Sequence, residues 1–447
     1  MDFTPTEEQA AARDLAARVF GDLATPDRLS SLGTGSDAEL WKTLCATGLM
    51  AAIEDIGLLG LVLLLEEQGR TTAQTPFAVS AVHGLLAVTA HGTDEQRARL
   101  LPGLRDGTVV ATGALGGTGG GHGAVRAVVP GREAAPGRTD GGGTAAGVAR
   151  PAPVAGPPGG ARPARGALTG TVGWVPWLRD ATHVLVADAE RALWWVRVAD
   201  AETAPVETTA PWSAGRLVLD GTPAERLGEP GRAPVHAVAD VSAGAVPAST
   251  GSRTGASSGT SGKGGTSGPG GLGPASGDAS AGSPSEAPPG GGSGRPGAYE
   301  EVLAMGRIAF AGLQAGVCAG SLARAVQHTS TREQFGRPLS TNQGVLLRAA
   351  DAYMDTEAIR VTAYEAAWRY DEGLPFATHA LTAAWWASEA GTRVVHAGQH
   401  LHGGLGADLD HPVHRHFLWG RQLDMYLGCG SEVLAELGAL LAKEGTV

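Results

Sequence analysis

Two clusters in the C-terminal third carry the residues best suited to chemistry. One is Arg332-Glu333-Gln334-Phe335-Gly336-Arg337-Pro338-Leu339, followed by Gln343. The other is Gln399-His400-Leu401-His402-Gly403-Gly404-Leu405-Gly406. A guanidinium such as Arg332 pairs with an anionic phosphate through two hydrogen bonds. Gly403, Gly404 and Gly406 lack a Cβ, so their backbone N–H groups can approach such an anion closely. Structural alternatives stand beside each reading. Arg332 can be a surface ion-pair residue, and Phe335 can be interhelical core. Gln343 ends Ser340-Thr341-Asn342-Gln343, a capping-box pattern that closes a helix start. Gly403-Gly404 can cap a helix end. His400, His402, His411, His414 and His416 also lie close together. No cysteine or paired acid completes a familiar zinc set, so no metal site is expected.

Composition bounds the partners. The net charge of -11 gives no basic footprint for nucleic acid. Cys45, Cys318 and Cys429 are odd in number and far apart, which fits a reducing cytoplasm rather than a disulfide framework. The N-terminus carries early acids and does not read as a signal peptide. The run Ile56 to Leu65 is too short to span a bilayer, so no membrane partner is expected. Gly and Pro make up about a fifth of the 447 residues, against roughly 12% in an ordinary domain, so part of the chain is not core.

The positioning elements follow from pattern. Residues 1–108 read as helices, with capping boxes at Thr4-Pro5-Thr6-Glu7, Ser36-Asp37-Ala38-Glu39 and Thr93-Asp94-Glu95-Gln96. Leu58 to Glu67 reads as a buried helix, and Pro102-Gly103 closes the helix that follows Thr93. Residues 109–235 read as a small β domain with strands at 109–111, 183–187, 193–198 and 216–219. A Gly/Ala/Pro-rich insertion near 116–166 interrupts it. Residues 236–298 read as a disordered Gly/Ser/Pro linker, since almost no large apolar side chain offsets an ordering cost of about 1–2 kcal/mol per residue. Residues 299–447 read as a bundle of four helices over about 300–330, 341–371, 377–400 and 412–443. The expected fold is therefore mostly α with a small β domain.

This order, with the two motifs, resembles the acyl-CoA dehydrogenase family, whose fold is an N-terminal helical domain, a middle β-barrel-like domain and a C-terminal four-helix bundle. Leu168 to Pro176 looks like the family's strand beside the flavin, and Leu217 to Pro223 like its exit segment. The resemblance implies FAD as cofactor and an acyl-CoA thioester as substrate, with electron-transfer flavoprotein as acceptor. It implies that Arg332, Phe335 and Gln343, with Gln399, His402, Gly403 and Gly404, reach the flavin of a neighbouring subunit. Trp174 is the matching residue for packing on a flavin, or is simply a core tryptophan.

The same resemblance exposes a gap. Oxidation at Cα–Cβ needs a carboxylate to take the α proton. The family supplies it from one of two positions, which here are Gly306 and Leu427, in the turn Tyr426-Leu427-Gly428-Cys429. Neither is acidic, so no catalytic residue is assigned. Thr112 to Gly117 and Pro176 depart from the family's flavin-facing residues as well. Together these losses resemble the base-lacking subunits of heteromeric acyl-CoA dehydrogenases known from steroid side-chain degradation. A hetero-oligomer with a catalytic acyl-CoA dehydrogenase subunit is the expected assembly, with a homo-oligomer as the alternative. Two further readings stay open: a self-sufficient enzyme with a relocated base such as Glu301, or a non-catalytic binding or scaffolding protein.

Overall fold

Capping chemistry sets the N-terminal helices, with small shifts from the expected positions. The computed structural model describes residues 3–115, 125–128, 164–228, 297–426, 428–443 and 445. Thr6, not Thr4, caps α1 (Glu7–Leu23), because Gln9 at the third helical position returns the bond to the Thr6 backbone. After α2 (Pro26–Ser31), Asp37 rather than Ser36 caps α3 (Ala38–Ala46); its carboxylate accepts from Glu39 N and Leu40 N. The box at Thr93 and Gln96 forms as expected and starts α7 (Asp94–Asp106). Pro102 does not end that helix. It lies inside α7, which stops at Gly107 in the left-handed region.

The buried run belongs to α4 (Leu49–Thr71), which is broken at Gly57 by φ 71 and ψ -171. That break frees backbone donors, and Asp371 accepts from Leu58 N at 2.8 Å and Leu59 N at 2.9 Å. A side chain from the C-terminal bundle thus caps a helix of the N-terminal domain. Burial pushes the Asp371 carboxyl up to about 6, against two lowering backbone bonds. The folded state therefore holds more protons than the unfolded chain between about 4 and 6, and this group's contribution falls as pH rises through that window. We expect Asp371→Ala to cost about 1–2 kcal/mol. In urea titrations from pH 4 to 7, the stability of Asp371→Asn should lack this part of the wild-type slope.

Past α4, α5 (Phe77–Val79), a π-helical turn (Ser80–Leu86) and α6 (Ala87–His91) form one buried segment. The middle sheet has seven strands: β1 (Ala111–Ala114), β2 (Arg126–Val128), β3 (Arg165–Val175), β4 (His183–Ala187), β5 (Leu193–Arg197), β6 (Glu202–Pro205) and β7 (Gly215–Arg226). Their order is β1-β4-β5-β7-β3-β2, and only β1 with β4 is parallel. β7 pairs β6 at its start and β5 at its end, which curls the sheet around Leu168, Val172, Val184, Val196 and Leu217. Three strands escaped the sequence pattern: β2 sits inside the expected insertion, β3 is anticipated only by the resemblance over Leu168 to Pro176, and β6 is a short strand with two polar residues. Of that insertion, 116–124 and 129–163 lie outside the described residues, as does the expected linker through residue 296.

The bundle comprises α8 (Ala298–Thr331), α9 (Gln343–Asp371), α10 (Ala377–Leu401), α11 (Pro412–Tyr426) and α12 (Gly430–Lys443). The run 412–443, expected as one helix, is two, and Gly428 between them takes φ 87. By length and composition α8 is a longer apolar run than Ile56 to Leu65 and reaches membrane-spanning length, but 78% of its apolar window is buried inside the fold. Short connections make neighbouring helices antiparallel. The ends of α8 and α10 and the starts of α9 and α11 therefore share one end of the bundle.

Candidate functional site

Gly306 lies on α8, buried, where an added Cβ would stand 3.8 Å from Val82 Cγ1 and 3.9 Å from His83 Nε2. His83 comes from the π-helical turn, a distortion often found at functional sites. One turn beyond Gly306, Phe310 stacks on His83, with ring centroids 6.4 Å apart. Phe310 also meets Tyr426 edge-on at 4.6 Å. Tyr426 ends α11 and directly precedes Leu427, which lies outside the described residues. The fold thus brings Gly306 and the residue before Leu427 to one place, although they are remote in sequence.

Aromatic side chains fill that place. Tyr426 touches Trp174 at 5.7 Å and Trp212 at 6.3 Å, and Trp212 stacks on Trp177 at 4.4 Å and meets Trp419 at 5.5 Å. Thr112 Oγ1 donates to Pro176 O at 2.6 Å, so the two segments expected to face a flavin ring also meet here. Burial pushes His83 down to about 4, opposed only by a backbone bond, so its ring is neutral at pH 7. Burial alone pushes the Tyr426 phenol up. Among the described residues, no charged group contributes to either shift. A carboxylate within about 4–6 Å would have raised the His83 value by favouring its charged form.

The phosphate-type motifs gather at the opposite end. The rise of about 1.5 Å per residue puts the end of α8 roughly 38 Å from Gly306. There β8 (Glu333–Gln334) and β9 (Arg337–Pro338) form a hairpin, with Phe335 at φ 57 and Gly336 at φ 77 in its two-residue turn. Phe335 is 100% exposed, which overturns the interhelical-core reading. Arg332 is exposed and makes no side-chain hydrogen bond or ion pair among the described residues. Gln343 is the exposed first residue of α9, and the cap is Asn342, which accepts from Gly344 N at 2.9 Å. The serine-started box does not form because Leu339–Thr341 is already a 3-10 turn.

The glycine turn closes the same end. Gly403 takes φ 59 after α10, and a Cβ at Gly403 or Gly404 would meet nothing within 4 Å. Both the cap reading and the open-backbone reading therefore describe Gly403. Gln399 and His402 face inward. Gln399 Nε2 donates to Gly406 O at 3.1 Å, and His402 Nδ1 lies 2.7 Å from Gly398 O, so these two brace the turn. His402 stacks on His328 at 4.7 Å, and His328 is pushed down by burial first and then by His402, His411 and Arg332. Arg332, His328, His402 and Gly403 thus form one continuous patch. Its exposed guanidinium and open backbone can take an anionic phosphate presented from outside the chain. Among the described residues, no three His, Cys, Asp or Glu side chains are placed to hold a metal.

Glu301 occupies neither place. It is buried on α8, accepts from Tyr370 Oη at 3.1 Å and approaches His91 Nε2 at 3.8 Å. Five residues separate it from Gly306, which sets the two on different faces of the helix. Sequence reasoning missed His83 and Phe310. Their role depends on contacts between α8, α11 and the π-helical turn, which leave no periodic signal.

Comparison with known proteins places this architecture. The description "Acyl-CoA dehydrogenase, N-terminal domain" matches residues 6–108, and "Acyl-CoA dehydrogenase, C-terminal domain" matches 292–439. Acyl-CoA dehydrogenase FadE27 of Mycobacterium tuberculosis is 41% identical over 147 residues, covering 31% of this chain and 39% of the relative. The short-chain specific acyl-CoA dehydrogenase of Megasphaera elsdenii is 35% identical over 142 residues, covering 32% and 37%. The chain thus matches about two fifths of the length of these curated relatives. Among the solved structures that match over 99% of both chains are the Tcur3481-Tcur3483 steroid ACAD, in a variant form, with TM-score 0.71 and 31% identity, and the ChsE4-ChsE5 complex from Mycobacterium tuberculosis, with TM-score 0.72 and 25% identity. The family is one of FAD-binding flavoproteins. With both terminal domains matched and a 31% identical structure aligned along its whole length, the chain belongs to the acyl-CoA dehydrogenase family.

Proposed function

We propose that this chain is the base-lacking subunit of a heteromeric, FAD-dependent acyl-CoA dehydrogenase. One observation carries the reading. Gly306 and Tyr426 converge on a single place, and neutral His83, Phe310 and tryptophans fill it where a catalytic carboxylate is needed. The phosphate-type patch at the far end is intact and open, so what the chain retains is what serves a neighbour. The chemistry of its donor set fits the diphosphate of FAD: Arg332 supplies two parallel N–H bonds, and the Gly403-Gly404 backbone supplies further donors. Phe335, in the hairpin turn after Arg332, and Gln343, at the start of α9, would contact the same dinucleotide. Gln399 and His402 would hold the glycine turn in shape.

Arg332 and the Gly403-Gly404 turn would hold the flavin, which would supply hydride acceptance at the β carbon of the thioester, while a partner subunit would supply the carboxylate for the α proton. An exposed apolar stripe on α9 (Leu346, Leu347, Tyr353, Met354 and Val361) offers a face for assembly. Of the two solved structures named above, one is the ChsE4-ChsE5 complex and the other the Tcur3481-Tcur3483 steroid ACAD. The steroid ACAD supports an acyl-CoA with a steroid-derived acyl group as the first substrate to test; the family resemblance supplies electron-transfer flavoprotein as the acceptor of this reading. The test is acyl-CoA-dependent dye reduction by the chain alone and by the chain co-purified with a neighbouring gene product.

Glu301 separates this reading from self-sufficient catalysis. Glu301→Gln should leave turnover of the assembly within about threefold and lower thermal stability, because it disturbs a buried bond to Tyr370. A relocated base would instead lose about 10²–10⁴ in rate.

A further inference from the structure

Between the start of α11 and the N-terminal helices lies a cavity of about 330 Å³, at the low end of the size range for small-molecule sites. Five basic side chains line it: Arg324, His411, His414, Arg415 and His416. Arg415 is committed to neutral partners, donating to Thr72 Oγ1 at 3.1 Å and to Gln74 Oε1. Arg324, from α8, is half-buried and makes no side-chain hydrogen bond or ion pair among the described residues. Burial is the sole cause that pushes its pKa down. One carboxylate, the exposed Asp410, shares the lining. Two guanidiniums against one acid leave a desolvated positive charge uncompensated.

The rest of the wall is largely apolar, formed by Leu29, Pro211, Leu409 and Leu418. Thr72, also in the lining, holds a left-handed backbone with φ 51. A β-branched residue adopts that conformation only where its surroundings enforce it, and such strain clusters at ligand sites. Here the Arg415 guanidinium and the bond from Thr72 Oγ1 to Thr71 O at 2.7 Å hold it.

We propose that this cavity binds a small organic carboxylate, its head paired with Arg324 and its apolar body against Leu29, Leu409 and Leu418. With Arg415 held by the neutral Thr72 and Gln74 side chains, Arg324 is the one uncommitted guanidinium of the lining among the described residues, which matches a monoanion better than a phosphate dianion. A carboxylate also pairs with guanidinium through two parallel bonds. The site adjoins the Arg332 and Gly403 patch, since His411 in its lining meets His402 at 5.0 Å, but its ligand contacts do not depend on the flavin reading.

The test is isothermal titration calorimetry of the full chain with sodium hexanoate, and separately with inorganic phosphate, at constant ionic strength. Hexanoate binding should be saturable and tighter than phosphate binding. Arg324→Gln should weaken it at least tenfold, and Arg324→Lys should retain part of the affinity. Leu409→Glu changes a side chain that is 77% exposed, leaves the fold intact and should weaken hexanoate comparably by placing a like charge at the site. The proposal is overturned by non-saturable hexanoate binding, by phosphate binding as tightly, or by wild-type affinity in folded Arg324→Gln or in Leu409→Glu.

Discussion

Purified without a partner, the chain should give no measurable acyl-CoA dehydrogenation. A positioned general base contributes about 10²–10⁴ in rate, and here neither expected position supplies one. Leu427 is an alkyl side chain, and Gly306 has no side chain at all. The neighbouring ring cannot substitute. Burial holds His83 near 4, which makes it a weak acceptor, and Phe310 covers its face. Restoring the acid alone should not restore activity. Gly306→Ala meets only ordinary contacts at 3.8 and 3.9 Å, but Gly306→Glu must displace the buried His83 ring at an overpacking cost of about 1–3 kcal/mol. Stopped-flow dye reduction with the lone chain checks this. Turnover within tenfold of the co-purified assembly would show that a base on this chain does the work.

Arg332→Ala in the co-purified assembly should weaken FAD binding by roughly 10–150-fold, the equivalent of about 1.5–3 kcal/mol for hydrogen bonds to a charged group. The fold should be untouched, since among the described residues the Arg332 side chain supports nothing within its own chain. Arg332→Lys should recover only part of the affinity, because an ammonium lacks the planar fork. Fluorescence titration of the apo-assembly with FAD gives the affinity, and circular dichroism confirms the fold. Unchanged FAD affinity in Arg332→Ala would remove this arginine from the cofactor site.

The architecture was legible where local chemistry decides it. Thr93 and Gln96 mark a helix start because their reciprocal bonds are local. Where two caps compete, the pattern slips by a residue or two, as at Thr6 and Asp37. At Asp37 the carboxylate reaches two donors at once, and at Thr6 the Gln9 side chain returns the bond to the cap's backbone. Pro102 misleads because one lost hydrogen bond does not end a helix that α4 and the π-helical turn pack against. Phe335 shows the limit of composition. A phenylalanine between two helices suggests core, yet Phe335-Gly336 forms the hairpin turn and stands in solvent. The candidate site was half visible. Motif spacing gave Arg332 and the glycine turn, and up-down topology set both at one end. The filled pocket was not visible, because His83, Phe310, Tyr426 and Trp212 meet only through tertiary packing. Nor was the Arg324 cavity, whose walls come from helices some 300 residues apart in sequence.

The central claim is that this chain helps to hold a flavin in an active site that another subunit completes. The direct measurement is the flavin-to-subunit ratio of the purified assembly, from the visible flavin band against total protein. The account predicts one flavin for every two chains, with the chain alone binding none. One flavin per chain in a homo-oligomer of this protein would contradict it.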